Sequence, residues 1–174
     1  MNYSIEEINE KSLYDYMYVN TISWNETYRG IVPDEFLDKI LNELDANVER
    51  LRSKFQQTKI IEPDYKRFLL KLNNEPVGMF SICKAREEKY KSSGELCSIY
   101  LLNKAKKKGL GKIMFETAIK ELKKMNYFDM IVYCIKENPN NEFYKHMGGK
   151  LIDSKPRNIG GKDLIENIYY FKKV

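Results

Sequence analysis

The chain has 174 residues, 43% of them hydrophobic and 13% aromatic, which suits one folded domain over 1–174 and excludes a disordered chain. No run approaches the ~18 consecutive apolar residues of a membrane helix. The opening Met-Asn-Tyr-Ser-Ile-Glu-Glu lacks the basic start and apolar run of a secretory signal. Three dispersed cysteines (Cys83, Cys97, Cys134) and one histidine, His146, argue against a Cys/His zinc site and a disulfide framework. The expectation is a cytoplasmic protein with no metal and no membrane partner.

The formal net charge of +5 hides a division: residues 1–49 carry eleven acids against three bases, net −8, and residues 50–174 carry the opposite excess, net +13. Such asymmetry suggests two differently charged partners or two sides of one site, although a solvated helix face accounts for acids equally well.

In chain order, Tyr3, Ile5 and Ile8 suggest a short first strand, and apolar positions at Leu13, Met17, Ile22 and Trp24 a helix over roughly 11–28. Pro33-Asp34-Glu35 starts a second helix, whose single apolar stripe from Phe36 through Val48 to Phe55 predicts one helix to about 57. Residues 65–72 and 77–86, joined by a turn at Asn73-Asn74-Glu75-Pro76, predict an antiparallel hairpin, and residues 95–102 a third, mostly buried strand. A helix over 109–125 follows, then a near-continuous apolar run at 128–135 that suits a strand buried on both faces. A short helix opens at Asn138-Pro139 and stops at Gly148-Gly149, before strands near 149–156 and 163–172.

The segment Lys104-Ala105-Lys106-Lys107-Lys108-Gly109-Leu110-Gly111-Lys112 joins a buried strand to a helix and holds five lysines in nine residues. A helix N-terminus offers unpaired amides and a positive dipole end, and Gly109 and Gly111 remove the Cβ atoms that would keep a ligand away. That describes a site for a phosphorylated ligand, although the glycines alone would serve a plain strand-to-helix turn. A Walker loop is excluded because Lys106 stands where glycine is needed and Ile113 where Ser or Thr is needed; a dinucleotide fingerprint is excluded by Met114.

Here the chain resembles the GNAT family of acetyl-CoA-dependent N-acetyltransferases. Lys106-Lys107-Lys108-Gly109-Leu110-Gly111 matches the family's Gln/Arg-x-x-Gly-x-Gly/Ala motif, with Lys106 as the departure. Asn138-Pro139 through Phe143-Tyr144 to Gly148-Gly149 is similar to its Asn-Pro…Phe-Tyr…Gly-Gly signature, and Trp24 through Tyr28-Arg29-Gly30 to Pro33-Asp34 to a segment of many bacterial members.

The resemblance implies an α/β fold: a mixed, splayed central sheet of about seven strands with about four helices. It implies acetyl-CoA as cosubstrate, its arm pairing with Ile99, Tyr100 and Leu101 and contacting Asn138, and its pyrophosphate on the loop Lys106, Lys107, Lys108, Gly109, Leu110, Gly111 and Lys112. Tyr144 takes the family's general-acid place and also contacts the cofactor. Glu95, fourteen residues before Gly109, takes the place of a glutamate base, with ordered water as the alternative. Trp24 and Tyr28 would line the acceptor wall.

The expected reaction is direct transfer of acetyl, in a ternary complex, to a primary amine of a small molecule. The acidic first region favours a cationic acceptor such as a polyamine, provided that acids such as Glu26, Asp34, Glu35 and Asp38 face the cleft. A non-catalytic CoA-sensing or partner-binding module is the alternative. A nucleic-acid partner is not expected, because the lysines lack interleaved aromatics. Monomer and homodimer are both compatible with the chain.

Overall fold

The computed structural model describes residues 2–174. Seven strands form one sheet: β1 (Tyr3–Glu7), β2 (Lys66–Leu72), β3 (Glu75–Lys84), β4 (Gly94–Leu101), β5 (Met130–Ile135), β6 (Lys150–Ile159) and β7 (Lys162–Phe171). Their order is β1-β2-β3-β4-β5-β7-β6. Every neighbouring pair is antiparallel except β4 and β5. The β2–β3 turn is tighter than the sequence suggests: Asn73 and Asn74 alone form it, at φ of 51° and 67°. Asparagine tolerates that left-handed conformation, which matches the twist of a two-residue hairpin.

Helices α1 (Leu13–Tyr28), α2 (Asp34–Asn42) and α3 (Leu44–Ile61) precede β2; α4 (Leu110–Lys124) follows β4 and α5 (Asn141–His146) follows β5. The predicted helix from 34 to about 57 is therefore two, and the α-helices among the described residues number five where about four were expected. Glu43, at φ −93° and ψ 15°, breaks the run while its amide still reaches the Lys39 carbonyl. The bend re-aims one apolar stripe at two targets. Leu37 of α2 packs with Tyr28, Ile135 and Leu164, whereas Val48 and Phe55 of α3 are buried further along, Phe55 with Val19 of α1 and Leu69 of β2.

On the other face, Leu110, Met114, Phe115, Ala118 and Leu122 of α4 pack with Phe80, Leu96, Val132 and Tyr169. These spacings of three and four residues are the amphipathic pattern of the sequence. The last hairpin closes through Gly160 and Gly161, both at positive φ. A Cβ on Gly160 would lie 2.7 Å from Phe36 Cβ, so glycine lets the hairpin tip press onto α2. Strand β6 is longer than predicted and lies at the edge of the sheet, its first five residues exposed. That weak burial is why its pattern stops being legible near 156. Among the described residues, no helix is long and apolar enough to cross a membrane.

Candidate active site

Parallel pairing of β4 with β5 covers only Gly94–Leu96 against Met130–Val132. Beyond Leu96, β4 stays bonded to β3 as far as Leu101 but has no partner on its β5 side. Unpaired amides and carbonyls at such an edge need hydrogen bonds, and an amide-bearing ligand can supply them. A cleft of about 300 Å³ opens there, lined by Ile99, Tyr100 and Leu101 of β4, by Phe143 and Tyr144 of α5, and by the lysine–glycine loop.

The loop turns into α4 through two left-handed residues, Lys107 at φ 61° and Gly109 at φ 77°. The second is glycine, which adopts that conformation without strain. The Ile113 amide bonds the Gly109 carbonyl at 3.2 Å, so the amides of Leu110, Gly111 and Lys112 have no partner within the helix. Lys106, Lys107 and Lys112 line the cleft with Gly109 and Gly111. Lys104 pairs with Glu75 instead, and Lys108 Nζ donates to the Lys104 carbonyl at 3.1 Å. Lys108 lies outside the cleft lining, and the Leu110 side chain is fully buried, leaving only its backbone to a ligand.

Tyr144 is 7% exposed, and burial pushes its phenol well above the usual range. It therefore remains a neutral donor at the cleft wall throughout the physiological range. Asn138 is not itself in the lining. Its Nδ2 donates to Tyr28 Oη at 3.2 Å and its Oδ1 accepts the Asn140 amide at 2.9 Å. Asn140 lines the cleft in its place, as do Thr27 and Met114. Next to it Asn141 is a buried hub: its amide nitrogen donates to the carbonyls of Ile135 and Asn138, and its oxygen accepts from Asn167 and Tyr169. The Asn-Pro-Asn-Asn run was legible as a motif, but which asparagine does which task was not.

A second cavity, about 470 Å³, lies between α1–α3 and strands β2–β4, and Tyr100 lines both. Trp24 lines this second cavity, 4.8 Å from the Tyr28 ring. Tyr28 itself is 5% exposed and stands behind the junction, its hydroxyl 3.3 Å from that of Tyr100. Burial raises the pKa of both phenols. The cavity floor carries Tyr16, Tyr65, Arg67, Ser81 and Ser98, none of which a local sequence pattern marks.

Glu95 stands apart from both cavities. Its carboxylate is completely buried, accepts the Arg86 amide at 3.2 Å and is gripped by the Arg86 guanidinium. The acids expected at the acceptor wall are also elsewhere. Glu26 accepts the Asn103 amide at 2.7 Å, and Asp34 and Asp38 pair with Arg29 at 3.4 and 2.9 Å. Glu35 is exposed on α2, and among the described residues no carboxylate lines the cavity.

Cys83 and Cys97, distant in sequence, meet across β3 and β4 with sulfurs 2.8 Å apart, and their sulfurs lie within 4.8 Å of the Glu95 carboxylate. The hydrogen bond to Cys83, then burial, pushes the Cys97 thiol far up. Burial pushes Cys134 up to about 12. Neither is a thiolate at neutral pH, which disfavours a cysteine nucleophile.

Comparison with known proteins gives the family. Residues 21–148 match the family described as Acetyltransferase (GNAT) family. An uncharacterized N-acetyltransferase, YuaI of Bacillus subtilis, is 24% identical over 167 residues, covering 94% of this chain and 89% of that protein. Among solved structures, the PaiA N-acetyltransferase of Thermoplasma acidophilum in complex with coenzyme A superposes with a TM-score of 0.75 at 22% identity, over 100% of both chains. The Salmonella typhimurium protein yncA with acetyl-CoA gives 0.70 at 14%, over 99% of this chain and 94% of that one. The chain belongs to the GNAT family and is an acetyl-CoA-dependent N-acetyltransferase.

Proposed function

We propose that the protein transfers acetyl from acetyl-CoA directly to a primary amine of a small molecule bound in the cavity beneath α1–α3. The observation that carries this reading is the single residue shared by the two cavities, Tyr100, which marks where cofactor and acceptor meet. Both groups can be bound at once; Cys97 lines the acceptor cavity, but its hydrogen bond to Cys83 and its burial push the thiol pKa up, which opposes its acting as a thiolate carrier of acetyl.

The residues fit the cosubstrate. The free edge of β4 at Ile99–Leu101 offers main-chain partners to the pantetheine amides, and the amides of Leu110, Gly111 and Lys112, with Lys106, Lys107 and Lys112, suit the pyrophosphate. Acetyl-CoA, when bound, supplies the electrophilic thioester carbonyl. Tyr144, kept protonated by burial, donates to the departing sulfur. Asn138 and Tyr28 hold the Tyr100 hydroxyl in place through a chain of two hydrogen bonds.

An alkylamine of pKa about 10 must lose a proton before it attacks. Glu95 has both carboxylate oxygens engaged by Arg86 and lines neither cavity, which supports ordered water as the carrier of that proton. The test is a screen of primary amines for release of free CoA thiol, with mass spectrometry of the acetylated product. Thiol release that depends on the amine and yields an N-acetyl product supports the reading. Tight acetyl-CoA binding without turnover on any amine overturns it in favour of a CoA-sensing role.

A further inference from the structure

The cavity beneath α1–α3 holds one permanent charge. Arg67 of β2 lines it and is half-buried, its guanidinium 4.3 Å from the centre of the Tyr65 ring. Among the described residues no carboxylate pairs with this guanidinium, and it makes no side-chain hydrogen bond. Among the described residues Arg29, Arg50, Arg52 and Arg86 are within ion-pair distance of an Asp or Glu; Arg157, like Arg67, is not, but it lines a different pocket beside Glu87, Glu95 and Glu166, whereas no acid shares the lining with Arg67. Arginine forks present several N–H donors, and one left idle in a walled cavity is a recognition element awaiting an acceptor.

The surroundings select the sign of that ligand. Sheet register places Arg67, Ser81 and Ser98 in one row across β2, β3 and β4. Tyr65 Oη lies 3.4 Å from Ser81 Oγ, and the two serine oxygens are 2.6 Å apart. Burial raises the pKa of Tyr16 and Tyr65, so these hydroxyls stay neutral. Hydroxyl donors around a guanidinium, with no acid among the lining residues, match an anion and oppose a second cation.

We propose that Arg67 binds a carboxylate of the acceptor, making the substrate class an aminocarboxylate and not a polyamine. This rests on the reading of the cavity as the acceptor site. The amine points to the cleft junction at Tyr100 and the carboxylate to the β2 side. Tyr100 stands two strands from Arg67 and, by register, opposite Leu69, two residues further along, so with strands about 4.8 Å apart the two binding points are separated by more than two strand spacings before the inward reach of the arginine is taken off. An amine several bonds from the carboxylate spans that better than one on the neighbouring carbon. The acidic N-terminal surface then acts on the whole zwitterion only through solvent-screened charge.

The experiment compares three matched series: ω-aminocarboxylates from aminoacetate to aminohexanoate, alkylamines of the same lengths, and diamines of the same lengths. The wild type is expected to show at least about tenfold higher kcat/KM for an aminocarboxylate than for its alkylamine or diamine counterpart, the scale of one charge-assisted hydrogen bond. In Arg67→Met that ratio should collapse at least about tenfold, with the loss in KM, and Arg67→Lys should recover part of it. Acetyl-CoA affinity reports that each variant is folded. Wild-type acetylation of all three series alike, or a ratio unchanged in Arg67→Met, overturns the role of Arg67 and leaves the acetyltransfer reading standing. No acetylation of any series by a protein that binds acetyl-CoA overturns both.

Discussion

The Tyr28 and Tyr100 hydroxyls stand 3.3 Å apart, joining α1 to the free edge of β4 where the cleft beside the glycine loop meets the cavity beneath α1–α3. Asn138 Nδ2, 3.2 Å from Tyr28 Oη, ties the same point to the end of β5. Three chain segments that the sequence keeps far apart are thus locked around one hydroxyl. Tyr28→Phe leaves the buried Asn138 donor without its acceptor, at a cost of about 1–3 kcal/mol. Urea unfolding should show that loss, and kcat should fall with it as Tyr100 loses its restraint. A stability within 0.5 kcal/mol of wild type, roughly the range of inert surface changes, would show that the link carries nothing.

Tyr144→Phe keeps the ring in the cleft and removes the proton donor. General acid catalysis contributes about 10²–10⁴-fold, so kcat should fall by about two orders of magnitude while acetyl-CoA affinity changes little. The pH profile gives an independent check. Because burial raises the phenol pKa, its protonated, active form persists above the ordinary tyrosine range. Wild-type kcat should therefore rise as the amine deprotonates and show no descending limb up to about pH 10. A descending limb near neutrality would assign the acid role to another group.

Gly111→Glu places a carboxylate among the phosphate-facing amides. A Cβ there would meet only Phe143 Cε2, at 3.9 Å, so the backbone accepts a side chain without strain. Gly111→Ala should fold and weaken acetyl-CoA modestly; Gly111→Glu should fold and weaken it at least about a hundredfold, the sum of steric block and like-charge repulsion. Calorimetric titration of both variants decides it, and equal affinities would move the pyrophosphate off this loop.

Glu95→Gln separates structure from chemistry. The Arg86 side chain is 65% exposed and can turn to water, while position 95 is sealed. The substitution leaves no buried charge behind, so stability should fall only by about 1–3 kcal/mol, the scale of hydrogen bonds to a charged group. If water carries the amine proton, kcat falls less than about tenfold. A loss beyond the ~10²-fold scale of a removed general base would return that role to Glu95.

Local patterns carried most of the fold. The Asn73-Asn74 hairpin, the buried run ending at Ile135 and the α4 stripe are each set by neighbours in sequence, and each was legible there. The glycine loop was legible too, because its backbone demands are local. What escaped was set by register. The shift between Ser81 and Ile82 leaves Cys97 as an extra residue in β4, so Leu96 packs under α4 while Ser98 joins Ser81 and Arg67 beneath α1. No alternation in the sequence announces that bulge, and without it Arg67 reads as a surface residue of an ordinary strand. The acidic N-terminal region misled for the opposite reason. Composition counts charges but not directions, and Arg29 and the Asn103 amide had already claimed three of the four acids considered.

Acetyl is proposed to pass directly from cofactor to amine where the two cavities meet at Tyr100. Initial rates measured with acetyl-CoA and amine both varied test it most directly. Direct transfer in a ternary complex predicts double-reciprocal lines that intersect, with no protein-bound acetyl group when the amine is withheld. Parallel lines, with acetyl recovered on Cys97 or Cys134, would contradict it.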